Sequence, residues 1–136
     1  SKFPTNAKGM IAEGGVNALI TLGKSDDPLA SVMVAGAFAN LTLDPDACER
    51  IVSDGATETI VALSHSDESE VRRYSCKAVF NLTRMMGREA TIVQQGVLGS
   101  MIRLRQESFE CSFACSVAIY NLSCVNSSYL RMEKVV

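Results

Sequence analysis

Asn40, Asn81 and Asn121 stand 41 and 40 residues apart, and each is followed by Leu and then by Thr or Ser. A carboxamide carries a hydrogen-bond donor and an acceptor together, so the chemistry these residues offer is non-covalent. Side chains for covalent chemistry are scarce. His65 is the only histidine and falls in a polar turn, where a solvated or capping role suits it better than general-base work. Cys111 and Cys115 are four apart and could place two ligands on one helix face, but a zinc site wants four ligands, usually at tighter spacing. No glycine-rich phosphate loop, carboxylate pair or metal motif is present, and the acids Asp26-Asp27 and Asp67-Glu68 read as helix caps and loops. The chain is therefore expected to bind rather than to catalyse, with no cofactor.

A second marker keeps step with the asparagines. Gly14, Gly55 and Gly96 recur at intervals of 41 and lie 26, 26 and 25 residues before them. A period of about 40 to 47 residues belongs to helical solenoids, in which each unit contacts only its neighbours and the stack owns the hydrophobic core.

Within the unit, the columns agree in character. Before each glycine stands an apolar pair, Met10-Ile11, Ile51-Val52 or Ile92-Val93, which ends one short helix. The glycine can take the left-handed conformation where that helix stops and the next begins. Apolar residues five, six and eight positions after it (Leu19, Ile20, Leu22; Ile60, Val61, Leu63; Met101, Ile102, Leu104) suit a second short helix. Polar clusters such as Ser25-Asp26-Asp27-Pro28 and Ser64 to Ser69 then cap a longer third helix. That helix carries a small, apolar face in every copy: Ala30, Val34, Ala37, Phe38, Leu41; Val71, Ser75, Ala78, Val79, Leu82; Cys111, Cys115, Ala118, Ile119, Leu122. The shared column makes Cys111 and Cys115 core residues. Pro45 opens the second unit and Met85-Met86-Gly87 the third.

At 136 residues, 47% hydrophobic and 21% charged, the chain can bury a sizeable core, and a formal charge of −2 gives no field that would gather nucleic acid or an anionic membrane. No apolar run approaches the roughly 18 residues of a membrane span, and the start, Ser1 to Asn6, lacks the regions of a signal peptide. Five scattered cysteines fit thiols kept reduced. These features lead to the expectation of a soluble, intracellular protein of the cytoplasm or nucleus. The Asn-x-Ser/Thr sequons at Asn40, Asn81 and Asn121 then follow from the repeat rather than from glycosylation. Neither terminus shows the polar capping unit that solenoid ends need, so the expectation is a piece of a longer array that self-associates through exposed terminal units.

A glycine after a first helix, a second helix with apolar spacing as in Ile60-Val61-Ala62-Leu63, and a third ending in Asn-Leu-Thr/Ser resemble the armadillo repeat over nearly the whole chain. The resemblance implies an all-α, right-handed superhelical solenoid of three-helix repeats: about 6–43, 44–84 and 85–124, with a fourth starting about 126–136. It further implies a concave groove lined by the third helices, with Asn40, Asn81 and Asn121 bonding the main chain of an extended partner. The alternative is that each asparagine bonds within its own turn or to a neighbouring carbonyl. Specificity would come from positions four and eight residues earlier on the same face: Gly36 and Val32, Lys77 and Arg73, Val117 and Phe113. Importin-like members carry tryptophan at the nearer position and this chain has none, so a lysine-rich signal is not the expected ligand. Arg73, Lys77 and Arg72 favour an acidic or phosphorylated segment, the bland reading being a solvated charged face. The expected role is a non-catalytic scaffold for a protein or extended peptide. The alternatives are a structural array in a cytoskeletal or ciliary assembly and the substrate-recognition arm of a ubiquitin ligase.

Overall fold

The computed structural model describes Gly9, residues 14–85 and residues 87–135, the stretch 124–135 as backbone alone. The helix expected to end in Met10-Ile11 lies outside the described residues, as does Met86. Every described element is helical: α1 (Gly15–Leu22), α2 (Pro28–Leu41), α3 (Pro45–Ser53), α4 (Ala56–Leu63), α5 (Ser69–Leu82), α6 (Glu89–Gln94), α7 (Val97–Leu104) and α8 (Phe109–Val135).

Local chemistry sets the boundaries. Gly14, Gly55 and Gly96 have φ of +80°, +80° and +96°, the left-handed region where a Cβ costs about 1–2 kcal/mol, and each immediately precedes a short helix. Asp27 and Asp44 are extended N-caps, accepting from the Leu29 and Ala47 amides, and the following prolines occupy the first helical position, where a missing N–H costs nothing. Thr42 and Thr83 close α2 and α5, their hydroxyls donating to the Phe38 and Phe80 carbonyls at 2.7 Å.

The long helices α2, α5 and α8 form one row, α5 lying between the other two, and the short helices α1, α4 and α7 form a second row packed against it. One core runs through both rows from Val16 to Leu122. Phe38, Ile51, Ile60, Leu82, Met101 and Leu122 are among its fully covered side chains, each stabilising by about 1.5–3 kcal/mol relative to exposure. The stripe expected on the short helices is narrower than its spacing suggests. Leu22 and Ile102 are 52% and 54% exposed, while Leu19, Ile60, Leu63, Met101 and Leu104 are buried.

The expected boundary near residue 126 is absent. The helix carrying Asn121 runs on to Val135, whereas its counterparts stop at Leu41 and Leu82. Ser123 does bond back to the Tyr120 carbonyl, as Thr83 does to Phe80. The difference lies in the next few residues of each unit. Asp44-Pro45 forces an extended residue after α2, and Gly87 turns the chain after α5 with φ +90°, but Cys124-Val125-Asn126 contains neither breaker.

Candidate functional site

Along α5, Arg73, Lys77 and Asn81 fall four residues apart and so share one face. That face forms the middle of a groove of about 520 Å³. The C-terminal end of α2 and the turn after it supply Ala39, Asn40 and Leu43 to one wall, and Ser108 with the start of α8, Glu110, Cys111 and Ala114, forms the other. Tyr74 and Phe80 give its floor an aromatic character. The Lys77 ammonium sits 5.7 Å from the Tyr74 ring centroid and the Arg84 guanidinium 6.0 Å from that of Phe80, within reach of the ring quadrupoles.

Asn40, Asn81, Arg73 and Lys77 thus share the groove, and the other candidates lie outside its lining. Gly36 is covered by Tyr74, whose ring lies 3.7 Å from where a Cβ would stand. Phe113 is exposed on α8, Val117 is half-buried on the same helix, and Asn121 is exposed. Val32 is likewise half-buried outside the lining.

Equivalent asparagines differ in their bonds. Asn81 is half-buried, and its Nδ2 donates to the Thr42 hydroxyl at 3.1 Å and, more distantly, to the Ala39 carbonyl at 3.5 Å. Both acceptors belong to the preceding unit, so this carboxamide ties two units together through its donor side. Asn40 is exposed and has no side-chain partner among the described residues.

Arg72 does not belong to the basic face. Its Nε and Nη2 clasp the Glu107 carboxylate at 2.6 and 3.1 Å, its Nη1 donates to the Ser66 carbonyl at 2.9 Å, and Ser69 donates to Glu107 at 2.8 Å. The Arg72 bond, aided by Ser69, holds the Glu107 carboxyl below the usual glutamate range, and Glu107 raises Arg72 in turn. Arg73 and Lys77 make no ion pair among the described residues, although Glu70 borders both in a small side recess and Glu110 stands on the facing wall. The groove is therefore of mixed charge.

Side chains that could carry other chemistry are dispersed or inert. His65 is exposed in the turn after α4. Cys48 is buried, donates to the Thr42 carbonyl at 3.1 Å and has its thiol pushed up to about 11, chiefly by burial and secondarily by Asp44. Among the described residues no three His, Cys, Asp or Glu side chains are grouped to hold a metal ion, and no helix is long and apolar enough to cross a membrane. Counting back by fours missed Tyr74 and Phe80. The position seven before each asparagine lies on the same face as the position four before, and that spacing would have found Tyr74.

No family model matches the chain, and no curated protein matches it. Among solved structures it is similar to an engineered protein, 27% identical, with a TM-score of 0.79. That likeness covers 89% of this chain and 50% of the other, so the chain spans half the length of the protein it matches.

Proposed function

We propose that the chain is a segment of an armadillo-type solenoid and works as a non-catalytic scaffold that holds an extended protein segment along the α2–α5–α8 groove. One observation carries this reading: Asn40 and Asn81, equivalent by count, line a single groove together with Arg73 and Lys77. Asn40 can offer both donor and acceptor to a partner's main chain, and Asn81, whose donor side is engaged by Thr42, offers its carbonyl oxygen to a partner N–H. Main-chain bonding of this kind grips a segment without reading its sequence. Arg73 and Lys77 then favour a partner with an acidic or phosphorylated side chain beside these bonds. With Arg72 engaged by Glu107, the selective charge rests on two cations rather than three.

The double variant Asn40→Ala/Asn81→Ala tests the reading against peptides selected from a random library on the unmodified protein. Affinity should fall about tenfold or more, as expected for loss of two hydrogen bonds worth about 1 kcal/mol each. Equal affinity for a variant of unchanged helicity overturns it.

A second reading, a structural array joined end to end, draws on Phe109, Phe113 and Tyr120, which are 83%, 65% and 68% exposed along α8. Concentration-dependent association abolished by Phe109→Ser/Phe113→Ser would favour it over the groove.

A further inference from the structure

Ser108 is the one serine or threonine of the chain with arginine both three and five residues before it, in Arg103-Leu104-Arg105-Gln106-Glu107-Ser108-Phe109. Protein kinases with an acidic substrate cleft select their substrates by such spaced cations, because each guanidinium can pair bidentately with a carboxylate of the cleft. The determinants are on display. Arg103 and Arg105 are exposed, Phe109 is 83% exposed, and Arg105 to Ser108 form the turn between α7 and α8. Ser108 is half-buried, its Oγ accepts the Cys111 amide at 3.1 Å, and it lines the groove that Arg73 and Lys77 also line. After Arg72 and Ser69, Arg73 also helps to hold the Glu107 carboxyl low, so its charge reaches the residue adjacent to Ser108. Ser75 shows that spacing alone does not make such a site. Arg72 and Arg73 stand three and two residues before it, yet Ser75 is 1% exposed, its hydroxyl donates to the Val71 carbonyl at 2.7 Å within α5, and Arg72 is held by Glu107. Ser53 has a single arginine three before it, Arg50, which Asp54 binds at 2.8 Å.

We propose that Ser108 is a phosphorylation site for a serine kinase with an acidic substrate cleft, and that the added phosphate pairs with Arg73 and Lys77 and so closes the groove to an acidic partner. In the transfer the Ser108 Oγ attacks the γ-phosphorus of ATP and the bond from that phosphorus to the β,γ-bridging oxygen breaks. ADP leaves with the electron pair, and the hydroxyl proton passes to a carboxylate base of the kinase. The product carries about −1.5 to −2 charge at pH 7, with strong acceptor oxygens. Two cations on α5 match that charge, whereas the nearby acids are Glu110, on the same wall, and Glu107, already held by Arg72. Leu104, between the two arginines, is buried, so the last turn of α7 opens locally as the kinase engages. The loss of binding rests on the groove being the partner's seat, whereas the modification and its pairing with the two cations do not.

Treating the folded 136-residue chain with such a kinase and magnesium ATP, followed by peptide mapping, tests the first half. The expected result is one phosphate, on Ser108, added on the order of tenfold more slowly to Arg103→Ala/Arg105→Ala. An unmodified Ser108, after treatment that fully modifies an unstructured reference substrate with the same two arginines, overturns the proposal. So does a phosphate placed on Ser75 or Ser53 instead. The map of the wild-type chain is decisive even where a variant fails to fold. Phosphorus NMR tests the pairing without any partner. The second ionisation of the Ser108 phosphate should lie below its ordinary value of about 6 and return towards it in Arg73→Ala/Lys77→Ala; equal values in the two proteins overturn the pairing. Finally, phosphorylation should weaken a library-selected acidic peptide about tenfold or more. Unchanged affinity for a peptide that Asn40→Ala/Asn81→Ala does weaken overturns the closing of the groove alone. A peptide indifferent to both changes, beside a lowered phosphate ionisation, instead removes the groove as the partner's seat and leaves the phosphate pairing in place.

Discussion

The middle and third long helices place Asn81 and Asn121 at the same point of the same pattern, yet the two asparagines live in different surroundings. On α5 the face carrying Arg73, Lys77 and Asn81 is walled by α2 and α8, and Asn81 reaches back to Thr42. On α8 the equivalent positions Phe113, Val117 and Asn121 lie outside the groove, with Phe113 exposed. Register decides which residues share a face, and neighbours on both sides decide whether that face becomes a site. A unit in a stack is completed by the units it touches.

Truncation should separate covered from uncovered positions most visibly. Phe38→Ala, at a fully covered position between the rows, is expected to cost about 3–5 kcal/mol in denaturant unfolding, and Phe113→Ala less than about 0.5 kcal/mol. Similar losses would mean that α8 is covered much as α2 is. Glycine gives a smaller contrast with a change of sign. Gly55→Ala places a Cβ at φ +80° and should destabilise by about 1–2 kcal/mol. Gly99→Ala, within α7 and with open space around its added Cβ, should stabilise by about 0.5–1 kcal/mol. Both shifts are readable as midpoint changes.

The asparagines themselves should differ more finely. Asn81→Ala should cost about 1 kcal/mol of stability by removing the bonds to Thr42 and Ala39, whereas Asn121→Ala should change it by less than about 0.5 kcal/mol. Acid provides the smallest test. Glu107 is held below its ordinary value of 4.5, so its pairing with Arg72 stabilises the fold fully above that value and is lost as pH falls through the lower, folded-state value. Thermal melts of the unmodified chain should therefore lose more between neutral pH and the acid range below 4.5 than those of Glu107→Gln, and parallel losses would remove the linkage.

Much of this architecture was legible in local signals, because its causes are local. The glycine columns mark backbone turns that only a residue without Cβ takes cheaply, Asp44-Pro45 marks a break that needs no partner, and the small face of the long helices marks what must be covered. The site was legible only in part. Arg72 and Arg73 are adjacent and chemically alike, and nothing nearby reveals that Glu107, 35 residues further on, withdraws Arg72 from the basic face. The bond from Asn81 to Thr42 spans 39 residues, and it divides the role of a carboxamide that spacing alone left open between partner contact and internal tie. Continuation of α8 past Leu122 shows the reverse case, in which a repeat marker was present and the breaker that normally comes after it was not.

Whether a partner lies extended in the α2–α5–α8 groove can be read from backbone amide chemical shifts, recorded while a library-selected acidic peptide is titrated into the labelled chain. Shifts are expected to concentrate at Asn40, Arg73, Lys77, Asn81 and Glu110, with the peptide giving the sequential pattern of an extended chain. Shifts centred instead on Phe109, Phe113 and Tyr120, or a peptide bound as a helix, would contradict groove binding.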